Sequence, residues 1–210
     1  MARRNGLEAY AGETLLTKKA YFFTTRYLPP LHKNGIMNHP VQDAIRNRRS
    51  IREFTDQPVE TALLRRIVEA WVWAPSGLNN QPWRFVLVQD RQTREKLAAQ
   101  TTYSHVILGA PALIVVLLDL QAVYNAVKDQ QSAGACIQNM LLAAEELGLG
   151  AVWLGQILQN GEEVIRILGL DQSYELMAVL ALGRPAHRNQ QSQRKPLSHF
   201  ILQETGGNLE

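Results

Sequence analysis

The stretch ALIVVLL at residues 112–118 decides the fold class of this 210-residue chain. It lies between Pro111 and Asp119, and its apolar residues occupy both faces of an extended segment. A continuous apolar run of this length is typical of a strand that is covered on both sides. It is far shorter than the roughly 20 residues of a membrane-spanning helix. The sequence therefore predicts a buried strand and no membrane span.

Helical and extended segments alternate on both sides of this strand. Apolar residues recur at helical spacing after Asn38, which can cap a helix over 40–48, and again in 58–74, 91–100, 130–147 and 162–168. Extended apolar segments cover 83–88, 151–154 and 175–182, and a further strand is predicted near Phe200. Several helices interleaved with about four strands predict a mixed α and β class without internal repeats.

Composition and charge limit the classes of function. The chain is 46% hydrophobic and 20% charged, which is typical of one globular domain. Its single cysteine, Cys136, can form no internal disulfide and no multi-thiolate zinc site, which favours a reducing, cytoplasmic location. Because Cys136 lies near the apolar face of a predicted helix, a packed, inert thiol is favoured over a nucleophile.

The positive charge is concentrated at the start of the chain. The net charge is +3, but residues 1–38 carry a net +4 and residues 39–210 a net −1, so the main body shows no nucleic-acid footprint. We predict that residues 1–37 form a weakly ordered, arm-like extension, with a targeting role as the alternative, before a domain over 38–210. A further hypothesis makes Met37 the natural start.

The common catalytic motifs are missing. The sequence contains no phosphate-binding G-x-x-x-x-G-K-[ST], no G-x-S-x-G and no H-E-x-x-H, and its five histidines lack metal-ligand spacing. Gly148-Leu149-Gly150 follows a helix and precedes a strand, the reverse of the dinucleotide-binding context. No catalytic side chain and no metal site are predicted.

Three polar features carry chemistry. Four arginines lie within seven residues, at Arg46, Arg48, Arg49 and Arg52, and form either an anion pocket or a solvated face. The pocket is a chemically reasonable interpretation because the paired N–H donors of a guanidinium group match a phosphate. The amide-rich loop 75–83 suits the edge of a heteroaromatic ring or is a plain polar turn. Arg194-Lys195-Pro196 adds a second cationic pair far along the chain.

Together these features resemble the nitroreductase family of flavin mononucleotide (FMN) enzymes. The matching stretches, in the family's order, are DAIRNRRSIREF (43–54), APSGLNNQPW (74–83), GLGAVWLG (148–155) and RKPL (194–197). The resemblance implies an α+β, three-layer fold with a central, mostly antiparallel sheet flanked by helices. It also implies a homodimer with FMN at the subunit interface and residues from both subunits in each site.

The resemblance further implies a set of cofactor-binding residues. Arginines and backbone groups would hold the phosphate, the ribityl chain and the ring, with Pro75, Ser76 and Gly77 supplied by the neighbouring subunit. The full set comprises Arg48, Arg49, Ser50, Arg52, Pro75, Ser76, Gly77, Asn79, Gln81, Leu154, Gly155, Arg194 and Lys195. The family often places a second serine where Gly77 stands, which is a departure in this chain.

The implied activity is hydride transfer from NADH or NADPH through FMN to small acceptors such as nitroaromatics or quinones. Flavin carries the redox chemistry, so no general base is required. The short segment between Leu118 and Gln131 leaves little room for a lid, which predicts an open, permissive site. The alternatives are a flavin-sequestering protein without turnover and, from the arginines alone, a phosphate- or nucleic-acid-binding module. The sequence does not separate NADH from NADPH.

Overall fold

The structure is a computed structural model and describes residues 39–206. The predictions made for residues 1–37, including a natural start at Met37, lie outside the described residues.

Four strands form one antiparallel sheet. They are β1 (Trp83–Val88), β2 (Ala112–Asp119), β3 (Gly150–Leu154) and β4 (Tyr174–Gly183), in the order β1-β2-β4-β3. The 112–118 stretch is an inner strand that pairs Trp83 with Leu118 on one side and Ala112 with Leu182 on the other. Strands β1 and β3 are the two edges, separated by three strand spacings, or about 14 Å.

Helices cover both faces of the sheet. They are α1 (Pro40–Asn47), α2 (Thr61–Trp71), α3 (Arg91–Ala98), α4 (Ser104–Gly109), α5 (Ala126–Glu146) and α6 (Gly161–Ile167). Short 3₁₀ turns lie at Gly77–Asn79, Gln156–Asn160 and Leu197–His199.

Alternate residues of β2 divide the core into two layers. Ile114 and Val116 join the cluster built by α2 and α5, whereas Leu113 and Val115 join the cluster built by α3, α4 and α6. Side chains of a strand alternate between faces, so one apolar run supplies both clusters. The predicted three-layer α+β architecture is confirmed.

Several boundaries differ from the prediction. Helix α5 begins at Ala126, four residues early, because the side chain of Asn125 caps it by accepting from the Lys128 N–H at 3.1 Å. Helix α4 was not predicted, since six residues are too few to show a helical period. The strand predicted near Phe200 is wrong: Pro196 precedes a 3₁₀ turn there, and Phe200 is exposed.

Candidate functional site

The arginine segment is held against the β3 edge of the sheet. Ser50 forms a parallel bridge with Ala151, and the Ile51 N–H donates to the Ala151 carbonyl at 3.1 Å. The Ile51 side chain is 1% exposed and packs against Gly150, where an added Cβ would lie 2.7 Å from the Ile51 Cβ. Backbone bonds from Thr55 to the Arg184 carbonyl and from Ala186 to the Glu53 carbonyl extend this attachment. The flanking guanidinium groups therefore start from a fixed backbone.

Guanidinium groups from two distant parts of the chain meet beside this segment. Burial lowers the pKa of Arg48, and the charges of Arg194 and Arg49 lower it further. The charge of the nearby Glu145 acts in the opposite direction and raises this pKa, but its carboxylate is bound by Arg188 at 2.8 Å, and among residues 39–206 no carboxylate lies within ion-pair distance of Arg48. Crowded like charges with no directly paired carboxylate favour the binding of an anion, which would relieve the repulsion.

The other predicted residues of this cluster are also placed here. Arg49 donates to the carbonyls of Arg46, Arg48 and Gln190, the last at 3.2 Å, and so ties the segment to the C-terminal tail. Arg52 is exposed, and Lys195 follows Arg194 in the chain, with its Nζ 2.9 Å from His199 Nε2. The structure therefore brings Arg194 near Arg48 and ties Arg49 to the tail at Gln190.

Leu154 ends the same edge strand, and Gly155 follows it. Leu154 is buried, whereas Gly155 is exposed, with open space where a Cβ would stand. At about 3.3 Å per residue, Leu154 lies about 10 Å from the point where Ser50 bridges to Ala151. These two residues therefore share one edge of the sheet with the arginine cluster.

The amide loop 75–82 has an unusual backbone. Leu78, Asn79 and Gln81 have φ values of 53°, 55° and 46°, in the left-handed region that non-glycine residues avoid. Each such residue costs on the order of 1 kcal/mol. The side chain of Leu78 is 86% exposed, and Asn79 and Gln81 are also exposed. Strain of this kind concentrates where a loop has to present groups to a ligand.

One carboxylate fixes the loop to the rest of the fold. Asn80 Nδ2 donates to Asp129 Oδ1 at 3.0 Å and to the Ala122 carbonyl at 3.0 Å. The fully buried Asp129 also accepts from the backbone N–H groups of Tyr124 and Asn125, at 3.0 and 3.1 Å. Sequence reasoning missed Asp129, because the helix was predicted to begin one residue later. The available signal was its position on the stripe that carries Ser132, Ala133 and Cys136.

The two groups of predicted residues do not meet within one chain. The loop 75–82 precedes β1, and its anchor Asp129 lies in the first turn of α5. The arginine cluster lies on the β3 edge near Glu145, in the last turn of α5. Sixteen residues of helix separate Asp129 from Glu145, about 24 Å. The predicted site residues therefore form two separate groups at opposite edges of the sheet, which we call the arginine half-site and the loop half-site.

Other features of the described residues lie apart from these half-sites. A cavity of about 1190 Å³ beside β4 and α6 is lined by residues that include Leu120, Gln130 and Tyr174, and by none of the predicted site residues. Burial raises the pKa of the Cys136 thiol, as expected for a packed cysteine. Within residues 39–206, no helix combines the length and the apolar character needed to cross a membrane.

Comparisons with known proteins match this architecture. A Desulfovibrio desulfuricans nitroreductase solved in complex with FMN is 47% identical, with a TM-score of 0.77, over 82% of this chain and all of that one. The NADH dehydrogenase of Thermus thermophilus is 33% identical over 78% of this chain and 97% of its own. The NAD(P)H-dependent FMN reductase of Bacillus subtilis is 29% identical over 80% of this chain and 75% of its own. The nitroreductase family model matches residues 45–102 and 98–184, and the chain belongs to the nitroreductase family.

Proposed function

We propose that this chain is an FMN-dependent oxidoreductase that takes hydride from NADH or NADPH and reduces small acceptors such as nitroaromatics or quinones. The observation that carries the proposal is the convergence of Arg48, Arg49 and Arg194 without a carboxylate partner, in a family whose members bind FMN. FMN offers the missing counter-charge in its phosphate. When bound, the flavin supplies the hydride-accepting and hydride-donating chemistry.

The residues present fit this cofactor. Arg48, Arg49 and Arg194 match a phosphate in charge, and Ser50, Arg52 and Lys195 are polar groups that neighbour them in the chain. The backbone of Leu154 and Gly155 lies farther along the same edge, where it would face the ring. A cation close to the ring stabilises the negative charge that builds up on reduction. The protein then contributes position and electrostatics, and no side chain has to transfer a proton.

We further propose that the site is completed by a second copy of this chain. The loop is anchored at Asp129 and the arginine cluster lies near Glu145, and these two residues are about 24 Å apart along α5. That separation favours a site in which the loop residues Pro75, Ser76, Gly77, Asn79 and Gln81 serve the arginines of another protomer. In a homodimer, the loop of one protomer reaches the arginines of the other.

Exposed apolar side chains near the loop favour such a partner. Trp73 is 84% exposed and Leu78 86%, and Val127 at the start of α5 is exposed as well. Large apolar side chains clustered on a surface are typical of interfaces. The C-terminal tail adds Leu197, Phe200 and Leu202, which are also exposed within the described chain. Both apolar regions flank a half-site, which is where a composite site needs its contacts.

The connection between β2 and α5 supports a permissive acceptor site. It spans only residues 120–125, so no extended lid is built from it. We therefore propose that NAD(P)H and the acceptor use one open flavin face in turn. We also propose a cytoplasmic location, because the single cysteine is reduced and buried.

Two measurements test this function. The purified protein, loaded with FMN, should lose its visible flavin absorbance when NADH or NADPH is added without oxygen, and regain it with a quinone. A bound flavin that neither nucleotide bleaches would contradict turnover and indicate sequestration. The variant Arg48→Ala/Arg52→Ala should lose FMN binding, and full flavin retention would reject the pocket. Sedimentation of the wild-type protein as a monomer that holds FMN tightly would reject the dimer.

A further inference from the structure

We infer that Asp129 is a positioning residue for the flavin site of the neighbouring protomer, because its buried carboxylate holds the loop 75–82 in the shape that reaches the cofactor. The inference rests on the proposed FMN function and on the composite site. Asp129 touches neither the arginine cluster nor the exposed loop residues, so it acts through Asn80.

The carboxylate is committed to backbone and amide donors. Asp129 is fully buried, and its two oxygens accept from Asn80 Nδ2 and from the N–H groups of Tyr124 and Asn125. Among the described residues, no lysine, arginine or histidine forms an ion pair with it. A buried charge persists only where hydrogen bonds replace its water, so these three donors are structurally required. Asp129 thereby joins two loops to the first turn of α5.

The loop needs an external anchor. Its internal bonds are local: Ser76 Oγ accepts from the Gln81 N–H at 3.1 Å, and the Gln81 amide donates to the Asn79 carbonyl at 3.3 Å. Neither bond reaches outside the loop. The end of the loop is tied to the sheet, because the Pro82 carbonyl accepts from the Asp119 N–H at 2.7 Å and the Gln81 carbonyl accepts from the Arg84 side chain at 3.3 Å. Asn80 is the loop side chain that donates beyond the loop, to Asp129 and the Ala122 carbonyl. Without that link, Leu78 and Asn79 lose the nearest side-chain bond that opposes their return to ordinary backbone angles.

A second contact of the loop depends on the same carboxylate. The ring of Tyr124 fills the space beside Gly77, where an added Cβ would meet its ring atoms at 2.4 to 2.5 Å. The backbone N–H of Tyr124 is held by Asp129 at 3.0 Å. Asp129 therefore orients the loop from within, through Asn80, and supports it from outside, through Tyr124.

The substitution Asp129→Asn breaks one link selectively. The amide oxygen can still accept from the backbone N–H groups of Tyr124 and Asn125, but its NH₂ group then faces the NH₂ group of Asn80. We expect the dissociation constant of FMN to rise at least tenfold. Asn80→Ala removes the same link from the other side and should have the same effect, which keeps the test valid if one variant folds poorly.

Matched controls separate positioning from general stability. Gln89→Ala removes the 2.7 Å bond from Gln89 Nε2 to the Val59 carbonyl at the far end of β1, and Asp90→Ala removes the cap of α3 on the opposite face of the sheet. Neither residue contacts Asn80. Both controls should lower the melting temperature and leave the FMN dissociation constant within twofold of wild type. If the FMN dissociation constant rises in proportion to the loss of melting temperature in the controls and in Asp129→Asn alike, the positioning role is wrong.

Mixed dimers give the decisive readout. Differently tagged Arg48→Ala/Arg52→Ala and Asp129→Asn protomers are co-expressed, and the heterodimer is isolated and titrated with FMN. One site then combines both defects and the other has neither, so we expect one tight FMN per dimer, although neither homodimer has any. No tight site, or wild-type affinity in the Asp129→Asn homodimer, would overturn the inference. Failure of the proposed function appears separately, as a wild-type protein that binds no FMN.

Discussion

The effect of Gly77→Ala on the free energy of unfolding is expected to change sign with the residue at position 124. An alanine Cβ at position 77 would lie 2.0 Å from the Tyr124 Oη and 2.4 Å from its Cε1. The φ angle of Gly77 is not in the left-handed region, so its backbone accepts an L-residue. The obstacle is therefore the Tyr124 ring alone. This contact also accounts for a glycine at a position where the family often has serine.

The size of the effect follows from the exposure of that ring. Forcing atoms into a packed site destabilises a protein by about 1–3 kcal/mol. Because Tyr124 is 42% exposed, its ring can move toward solvent, and the cost should fall in the lower part of this range. We expect Gly77→Ala to reduce the free energy of unfolding by about 1–2 kcal/mol. In the Tyr124→Ala background the same change should stabilise by about 0.4–1 kcal/mol, because alanine restricts the unfolded chain. The coupling is then about 2 kcal/mol.

Urea unfolding of the wild type, Gly77→Ala, Tyr124→Ala and the double variant measures the coupling energy. All four are compared at one protomer concentration and one FMN concentration, because both concentrations affect the apparent stability. Tyr124→Phe is the matched control: it lacks Oη but keeps the ring atoms within 2.5 Å of the added Cβ, so Gly77→Ala should still destabilise it. An equal cost of Gly77→Ala with tyrosine and with alanine at position 124 would show that the Tyr124 ring is not the obstacle.

Three further predictions test the arginine half-site and the core. Gly150→Ala should lower the free energy of unfolding by about 1–3 kcal/mol and weaken FMN binding, because the buried Ile51 side chain cannot move away from the added Cβ. The matched control Gly109→Ala, which has open space around its Cβ, should be neutral or stabilising. Cys136 should resist thiol reagents at pH 8 in the folded protein and react on unfolding; rapid labelling of native protein would contradict its burial. Inorganic phosphate should raise the melting temperature of the FMN-free protein more than chloride at equal ionic strength, and Arg48→Met should abolish that difference.

Most of the fold could be predicted because its elements are marked by local signals. Strand β2 lies between a proline and an aspartate, and the structure extends the predicted strand by one residue, to Asp119. The apolar face of α1 was also identified, yet Val41 and Ile45 are exposed in the described chain. A helical pattern shows which residues share a face and not what covers that face. Coverage depends on partners that local spacing does not encode.

Candidate site residues could be named from the sequence, but their arrangement in space could not. The nearness of Arg194 to Arg48 depends on the path of residues 184–190, which attach to the arginine segment through backbone bonds that no motif specifies. The left-handed angles of the loop were equally hidden, because Leu78, Asn79 and Gln81 are not glycines. In both cases tertiary contacts override local preference.

Both half-sites are unfavourable features that the core tolerates. On one edge of the sheet, like charges crowd Arg48 with no carboxylate paired to it among the described residues, and on the other, three residues are held at strained backbone angles. A ligand that binds only the folded dimer adds stability of RT ln(1 + [L]/Kd), about 2.7 kcal/mol at a hundredfold excess over Kd. In the proposed site, the FMN phosphate pairs with the arginines and the ring edge with the loop, so that each contact offsets one of these costs. Because the two costs fall on different protomers in a composite site, FMN should stabilise the association of the subunits as well as the fold of each one. Dilution of the FMN-free protein should therefore produce monomers at concentrations where the FMN-bound protein remains dimeric; equal dissociation with and without FMN would place the whole site within one chain.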